Sequence, residues 1–213
     1  MTSIRHHIPD DLLMGYAAGV LPQAFDLVVA THVSLSDDAR ARLASFEEVG
    51  GAVLAELEDC EIGEDSLEKT MAKISAMGPT PKPAPVNAVF PKPLRDLVGG
   101  DTDAVKWKNL GMGAKQAIVC SDDGATARLL YIPAGQAMPQ HGHNGMEMTL
   151  VLKGAFRDED GVFARGDVEV ANQEVDHSPI AEPGEDCICL IATDAKLRFQ
   201  GLLPRIAQPF IGI

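Results

Sequence analysis

Three histidines and one glutamate in the second half of the chain have the spacing of a metal site. His141 and His143 lie two residues apart, so on a strand both side chains point to the same face. Glu147 follows four residues later, within reach across a turn, and His177 lies 30 residues further on, where a neighbouring strand can return it as a fourth ligand. These residue types predict a metal ion.

The identity and role of that metal depend on how the four ligands close around it. Imidazole and carboxylate groups bind Zn²⁺ and also Fe, Mn or Ni. Four protein ligands in a closed tetrahedron favour zinc in a structural or sensory role. An open coordination position would instead favour oxygenase or isomerase chemistry.

Cys187 and Cys189 are a second candidate for chemistry. On a predicted strand their side chains face the same way about 7 Å apart, given a rise of about 3.3 Å per residue. A disulfide needs Cβ atoms about 3.5–4.5 Å apart, so an unstrained bridge is not expected. The pair either fills a barrel core or senses an oxidant, because a nearby cation lowers the pKa of a thiol. Cys60 and Cys120 have no evident partner and are expected to be structural.

The elements that must position these residues are predicted to be short strands. Apolar runs separated by Gly, Pro and Asp have the spacing of an antiparallel barrel or jelly roll: KQAIVCS, ARLLYIP, EMTLVLKG, CICLIATD and LRFQGLL. Residues 78–93 contain six prolines and predict an extended linker. The chain is therefore predicted to divide into a helical domain at 1–77, a linker at 78–93 and a β-barrel at 94–213, an α+β multi-domain arrangement.

Helical periodicity dominates before the linker. Starting prolines, a serine N-cap and three-and-four spacing predict four helices, at about 9–19, from Pro22, over Asp37–Leu57 after Ser36, and over 65–77. The third helix has an apolar stripe of Leu43, Phe46, Val49, Val53 and Leu57. A domain of this size buries only about 60% of its chain surface, so a partner, a metal or both are expected to stabilise it.

The charge of the chain excludes some functions and localises others. The net charge is −13, which opposes direct binding to nucleic acid. Residues 1–78 contain 14 acidic and five basic side chains, whereas residues 79–213 contain 17 and 13, so most of the acidity lies in the helical part. No apolar run near the start is long enough for a signal peptide or a membrane span, and the four cysteines form no disulfide framework. A cytoplasmic protein is expected.

The spacing around the metal ligands resembles the cupin family. Gly135, His141, His143, Glu147 and Gly154 reproduce the first cupin motif. In the second motif, a glycine and the fourth ligand are correctly separated, but other positions depart from the family pattern: Asn172, Glu174 and Ala181 stand where cupins usually have Pro, Gly and Asn. The resemblance implies a small β-barrel with the metal inside it.

Over nearly its whole length the chain resembles the ChrR-type zinc-binding anti-sigma factors. The resemblance is carried by IRHHIPDDLLMGYAAG, by LVVATHVSLSDDARAR and by a cupin ending in DCICLIATDAKLRFQGLLPR. It implies a transcriptional regulator and not an enzyme. In such a protein, residues 1–77 would sequester an extracytoplasmic-function sigma factor, and the cupin would respond to oxidative stress of the singlet-oxygen type.

The chain departs from that family at a second zinc site in the helical domain. The family builds this site from an early histidine and an H-x3-C-x2-C motif, which correspond to His7 and to the segment that starts at His32. Ser36 and Ala39 replace the two cysteines, and alanine has no donor atom. One zinc per chain is therefore expected, in the cupin. His7 and His32 either form a weak second metal site with an aspartate of the next helix or serve in packing and capping.

Two other functions fit parts of the sequence. The runner-up is a metal-dependent cupin enzyme, dioxygenase-like, with an accessory helical domain. Its acid–base partners would be Glu174 and Asp176, which flank His177 but are as easily surface residues. The third possibility is a binding domain for a small acid.

Overall fold

The computed structural model describes residues 4–77, 88–122 and 124–199, and the four predicted helices are present. They are α1 (Asp10–Ala17), α2 (Gln23–Leu35), α3 (Asp37–Ala55) and α4 (Ser66–Ala76). Pro9 and Pro22 precede α1 and α2, and the Ser36 side chain caps α3 by accepting a hydrogen bond from the backbone N–H of Ala39 at 3.1 Å. The predicted helix starts are thus confirmed, and the ends differ by one or two residues.

A fifth helix, α5 (Lys92–Val98), is not among the predicted elements. It begins within the predicted linker, where Pro93 fits because the first turn needs no backbone N–H donor. Phe90 and Leu94 are buried in the core. Residues 78–87 of the linker lie outside the described part of the chain. None of the described helices combines the length and the apolar character needed to cross a bilayer.

The described residues after α5 form an all-β unit, as predicted. Its strands are β1 (Lys108–Gly111), β2 (Ala114–Ser121), β3 (Thr126–Ile132), β4 (His141–Gly142), β5 (Glu147–Lys153), β6 (Ala155–Arg157), β7 (Val162–Ala164), β8 (Val168–Ala171), β9 (Asp176–His177), β10 (Ile180–Ala181), β11 (Cys187–Thr193) and β12 (Arg198–Phe199). They pair into a six-stranded sheet, β1-β2-β3-β11-β5-β8, and two three-stranded sheets, β10-β6-β7 and β12-β4-β9. All the pairings are antiparallel, which suits a barrel of short strands.

The central strands of the six-stranded sheet, β5 and β11, are buried on both faces. Strand β11 is buried along its whole length, which explains the unbroken apolar sequence CICLIAT. Ile188, Leu190 and Ala192 point to one face of the sheet and pack into a core shared with the helices. Cys187, Cys189 and Ile191 point to the other face and pack inside the barrel. The barrel interior and the shared core therefore lie on opposite sides of one sheet.

Helix α2 covers the outer face of that sheet. It contacts β2, β3, β5 and β11, and its Phe25, Val28 and Val29 are almost fully buried. A side chain of this kind stabilises a fold by about 1.5–3 kcal/mol when it is fully buried. The first two helices thus share one core with the barrel, across the sequence position of the predicted linker.

The predicted apolar stripe of α3 is buried only at its beginning. Leu43 is buried and Phe46 packs against the shared core, but Val49, Val53 and Leu57 are more than 60% exposed. The predicted stripe therefore faces the core only in the first half of α3. The reason is that α3 packs on α1 and α2, which are shorter, and α4 has no buried residue that could cover the remainder.

Residues near the start of the chain are hydrogen-bonded to the turn between β7 and β8. The backbone N–H groups of Arg5 and His6 donate to Oδ1 of Asp167 at 2.6 and 3.0 Å. Nδ1 of His32, on α2, lies 2.9 Å from the carbonyl oxygen of Gly166, so Nδ1 carries the ring proton and donates it. The helical layer is thus hydrogen-bonded to the barrel as well as packed on it.

The burial of His32 predicts a loss of stability in acid. Burial lowers its pKa to about 4, from 6.5, so the unfolded chain takes up a proton first as the pH falls. Between pH 6.5 and 4 we expect the wild type to lose about 3 kcal/mol more than His32→Asn, whose amide can still donate to Gly166. Urea unfolding of both proteins at a series of pH values measures this difference. Parallel pH dependence of the two proteins would contradict it.

Candidate metal centre

Three of the four predicted metal ligands meet through strand pairing. His141, on β4, lies directly opposite His177, on β9, and His143 follows β4 by one residue. Gly142 separates the two histidines, and a Cβ there would lie 2.0 Å from Oδ1 of Asp176. Glycine at that position therefore lets β4 and β9 pair without displacing the side chains of Asp176 and Arg198.

The fourth ligand enters from the six-stranded sheet. Glu147 is the first residue of β5, and its side chain points into the barrel. Its Oε1 accepts a hydrogen bond from Oγ1 of Thr149 at 3.2 Å, and its Oε2 lies 3.8 Å from Nδ1 of His143. One ligand atom from each of the four residues lies within 4.8 Å of those of the others, and all four side chains are buried. The structure thus brings together the whole predicted ligand set.

The three imidazole rings converge through their Nε2 atoms. Nε2 of His177 lies 3.1 Å from Nε2 of His141 and 3.2 Å from Nε2 of His143. A tetrahedral ion with bonds of about 2.0–2.1 Å would separate two ligand nitrogens by about 3.3–3.4 Å. The observed separations are close to that value.

The tautomers of these rings favour a cation between them. Nδ1 of His141 donates to the carbonyl oxygen of Pro139 at 2.9 Å, and Nδ1 of His177 lies 3.1 Å from Oδ2 of Asp158. In the neutral rings the proton therefore sits on Nδ1, and the Nε2 lone pairs point at one another. Converging lone pairs in a buried site need a proton or a metal ion between them, so these residues fit a metal.

The pKa values of the metal-free ligands diverge. Burial lowers the pKa of His141 and that of His143 to about 4, so both rings are neutral at neutral pH. Burial also lowers the pKa of His177, but the hydrogen bond and charge of Glu169 outweigh it and raise the value to about 9. Burial raises the pKa of Glu147. A bound divalent cation would favour neutral His177 and ionised Glu147, so metal binding should release protons.

Two buried carboxylates beside the site escaped the sequence analysis. Asp158 and Glu169 both face Nδ1 of His177, and Oε1 of Glu169 lies 2.8 Å from it. Glu174 and Asp176, the acid–base partners suggested for an enzyme, are exposed. Alternation on the strand places Glu169 on the face opposite its two valine neighbours, which the sequence alone would assign to solvent, and Asp158 lies in an acidic loop segment. Neither carboxylate therefore carries a sequence signal for burial.

A cavity adjoins the ligands inside the barrel. The cavity has a volume of about 70 Å³ and opens to solvent on one side. Apolar side chains such as Leu130, Met138 and Phe156 line most of it, and Arg128 and Cys189 also reach it. The metal centre therefore adjoins a small, mostly apolar cavity with room for a few water molecules.

The two cysteines of β11 are closer together than the strand spacing predicts. Their Sγ atoms lie 3.6 Å apart, not about 7 Å, because side chains on a strand can lean along it toward each other. Both are buried. The neighbouring Cys187 thiol, together with burial, raises the pKa of Cys189, which disfavours its thiolate.

This geometry agrees with the comparisons to known proteins. Residues 96–196 match the ChrR cupin-like domain family. The chain is 51% identical over 212 residues to the anti-sigma-E factor ChrR of Cereibacter sphaeroides, an alignment that covers 99% of this chain and 100% of that protein. The chain belongs to the ChrR family. Among solved structures, the complex of Rhodobacter sphaeroides SigE with the anti-sigma ChrR matches with a TM-score of 0.79 and 49% identity, over 90% of this chain and 100% of the matched one.

The ChrR resemblance also implies a zinc site in the helical layer, and the residues there do not fit it. The rings of His7 and His32 are 6.1 Å apart, and Nδ1 of His7 lies 3.6 Å from Oδ2 of Asp38. Nε2 of His32 is buried without a hydrogen-bond partner, but Ser36 is engaged as a helix cap and Ala39 offers no ligand atom. Among the described residues, no group of three potential ligands includes either histidine.

We expect about one metal ion per chain as a result. His143→Ala should abolish metal binding, because it removes one of the converging imidazoles, whereas His32→Asn should leave the metal content unchanged. Elemental analysis of the dialysed proteins measures both. Two ions per chain, or loss of metal in His32→Asn, would contradict this assignment.

Proposed function

We propose that this chain is a cytoplasmic anti-sigma factor, a non-enzymatic regulator that sequesters an extracytoplasmic-function sigma factor through residues 1–77. The observation that carries the proposal is the 51% identity to ChrR over nearly the whole chain. The matching solved structure is a complex of SigE with the anti-sigma ChrR. The structure supports it independently, since the helical region has many large apolar side chains that no element of the described chain covers.

These side chains lie on the second half of α3, on α4, in the segment between the two helices and directly after α4. They are 54–78% exposed, and we call them the open apolar surface: Val49, Val53, Leu54, Leu57, Ile62, Leu67, Met71, Ile74 and Met77. Those of α4 recur at helical spacing, as on a helix that buries one face. Exposed apolar patches of this kind mark protein interaction sites.

The charge around the open apolar surface indicates the kind of partner. From residue 43 to residue 68 the sequence has nine acidic side chains and no Lys or Arg. A sigma factor presents basic surfaces for DNA, so an acidic, apolar-centred surface is complementary to it and competes with DNA. Charge speeds the encounter, and the apolar side chains supply most of the affinity.

Charges placed on the open apolar surface should break the complex. We expect Met71→Glu with Ile74→Glu to raise the Kd for the SigE protein of the solved complex by about 100-fold or more, because both charges would have to be desolvated at the interface. Titration calorimetry measures the Kd. The matched control is Ile118→Glu, which changes a 61% exposed side chain on β2 and should leave the Kd unchanged. Equal binding by all three proteins would place the interface elsewhere.

The cupin is proposed to hold zinc and to receive an oxidative signal. Four protein ligands with near-tetrahedral nitrogen spacing support zinc in a closed site. Cys189 lines the cavity beside these ligands, and its Sγ is in contact with that of Cys187. Oxidation by hydrogen peroxide would join the two sulfur atoms at about 2.05 Å, remove both thiol protons and yield two water molecules. Closing the gap would shift β11, the strand that contacts α2.

If this pair is the sensor, peroxide should release SigE from the wild-type complex faster than from Cys187→Ser with Cys189→Ser. We expect at least a roughly fivefold difference in rate, since the variant cannot form the bond. Fluorescence anisotropy of labelled SigE follows the release, and mass spectrometry reports the loss of two hydrogens. Cys120→Ser, on β2, is the control, because its half-buried thiol lies outside both the cavity and the open apolar surface. Equal release rates would leave the two cysteines with a packing role alone.

A further inference from the structure

His177 is the ligand that connects the metal centre to the rest of the protein. Its Nε2 faces the other two imidazoles, and its Nδ1 lies 2.8 Å from Oε1 of Glu169 and 3.1 Å from Oδ2 of Asp158. The Asp158 side chain is 1% exposed and that of Glu169 is 7% exposed. Two carboxylates are thus withdrawn from water to face one ring nitrogen.

Burying two carboxylates is costly unless they are paired, so their position requires a cationic or proton-donating partner. A carboxylate on the far nitrogen of a metal-bound histidine fixes the tautomer, orients the ring and makes the other nitrogen a stronger ligand. Asp158 and Glu169 meet this description at His177. Neither is among the four residues that converge on the metal.

Glu169 also lies on the strand that holds the start of the chain. It is the second residue of β8, and Asp167 and Gly166 immediately precede that strand. Asp167 accepts the backbone N–H groups of Arg5 and His6, and the N–H of Val168 donates to the carbonyl oxygen of His6 at 3.0 Å.

The turn before β8 has little freedom to move independently. Gly166 has φ +93°, and its carbonyl accepts the hydrogen bond from His32 of α2. A Cβ at Gly166 would lie 2.8 Å from the side chain of Ile4, so the chain start packs directly on this turn. Four consecutive residues, 166–169, therefore contact the chain start, α2 and the metal ligand.

We propose that Asp158 and Glu169 are positioning residues for His177 and that Glu169 links metal binding to the docking of the chain start and α2 on the barrel. The inference rests on the proposed occupancy of the metal centre. Metal binding draws His177 into a fixed orientation, His177 holds Glu169, and Glu169 restrains β8 and the turn before it. In the full-length protein, that turn is where a change at the metal would reach the helical layer.

Zinc affinity tests the positioning role. Glu169→Ala should raise the zinc Kd by about 10–100-fold, and Glu169→Gln should raise it less, because the amide keeps an oxygen beside Nδ1 and removes only the negative charge. Asp158→Asn is an independent variant of the second carboxylate. Glu174→Gln, which alters an exposed carboxylate near His177 in sequence, is the control and should bind as the wild type does. Competition with a chromophoric chelator gives each Kd.

The tautomer of His177 separates positioning from a merely structural role. Nitrogen NMR shifts of the zinc-bound wild type should show a protonated Nδ1 with a strong hydrogen bond. Glu169→Ala should weaken that signature while the fold is retained. If Glu169→Ala and Asp158→Asn both bind zinc as tightly as the wild type, the proposal is overturned. The assignment of the metal centre would still stand. Failure of the wild type to bind zinc would overturn the metal assignment and this inference together.

Hydrogen exchange tests the link to the helical layer. The amides of Arg5 and His6, which donate to Asp167, should exchange about tenfold more slowly in the zinc-loaded wild type than in the zinc-free protein. In zinc-saturated Glu169→Ala most of this difference should vanish. The amide of Ala125, which donates to Asp122 at 2.8 Å in another turn, serves as the internal control. Equal exchange rates at the Arg5 and His6 amides with and without zinc would overturn the link between metal binding and docking of the chain start.

Discussion

The rest of the structure depends on covering the outer face of the six-stranded sheet. That face carries apolar residues such as Leu129, Leu150 and Leu190, all fully buried. Strands buried on both sides need a second layer, and α2 supplies it. Because α2 is required to complete the core, the helical layer and the barrel cannot shift relative to each other without exposing apolar surface to water.

The opposite face of the same sheet carries the chemistry. Residues that alternate with the leucines point inward, so Glu147 and Glu169 reach the metal centre from strands whose other side touches the helices. The close-packed sheet therefore separates the metal centre from the helical layer. Close packing transmits displacement instead of absorbing it, which suits a regulator that must report a chemical event at a distance.

Much of this arrangement could be predicted from local patterns. The spacing of His141, His143 and Glu147 identifies three ligands because strand geometry fixes where they point, and the starts of α2 and α3 follow from Pro22 and Ser36. Features that depend on tertiary contacts were not accessible in this way. A carboxylate such as Asp158 looks like a surface acid until the fold buries it.

The exposed end of α3 is a second feature that local sequence patterns do not predict. Periodicity identifies an apolar stripe but does not say whether this chain or another covers it, and Val53 and Leu57 face solvent here. The sequence spacing of Cys187 and Cys189 likewise gives the separation of their backbones but not that of their sulfur atoms, which are in contact. In each case the sequence does not show which residues, of this chain or of another protein, the side chain contacts.

Transcription in vitro tests the central claim, that this chain silences a sigma factor. RNA polymerase carrying an extracytoplasmic-function sigma factor from the same organism is assayed on its promoter while the full-length chain is added. Transcription should cease as the chain reaches the sigma factor concentration, and polymerase carrying the housekeeping sigma factor should be unaffected. Undiminished transcription at a large excess of the chain, for every such sigma factor of the organism, would contradict the assignment.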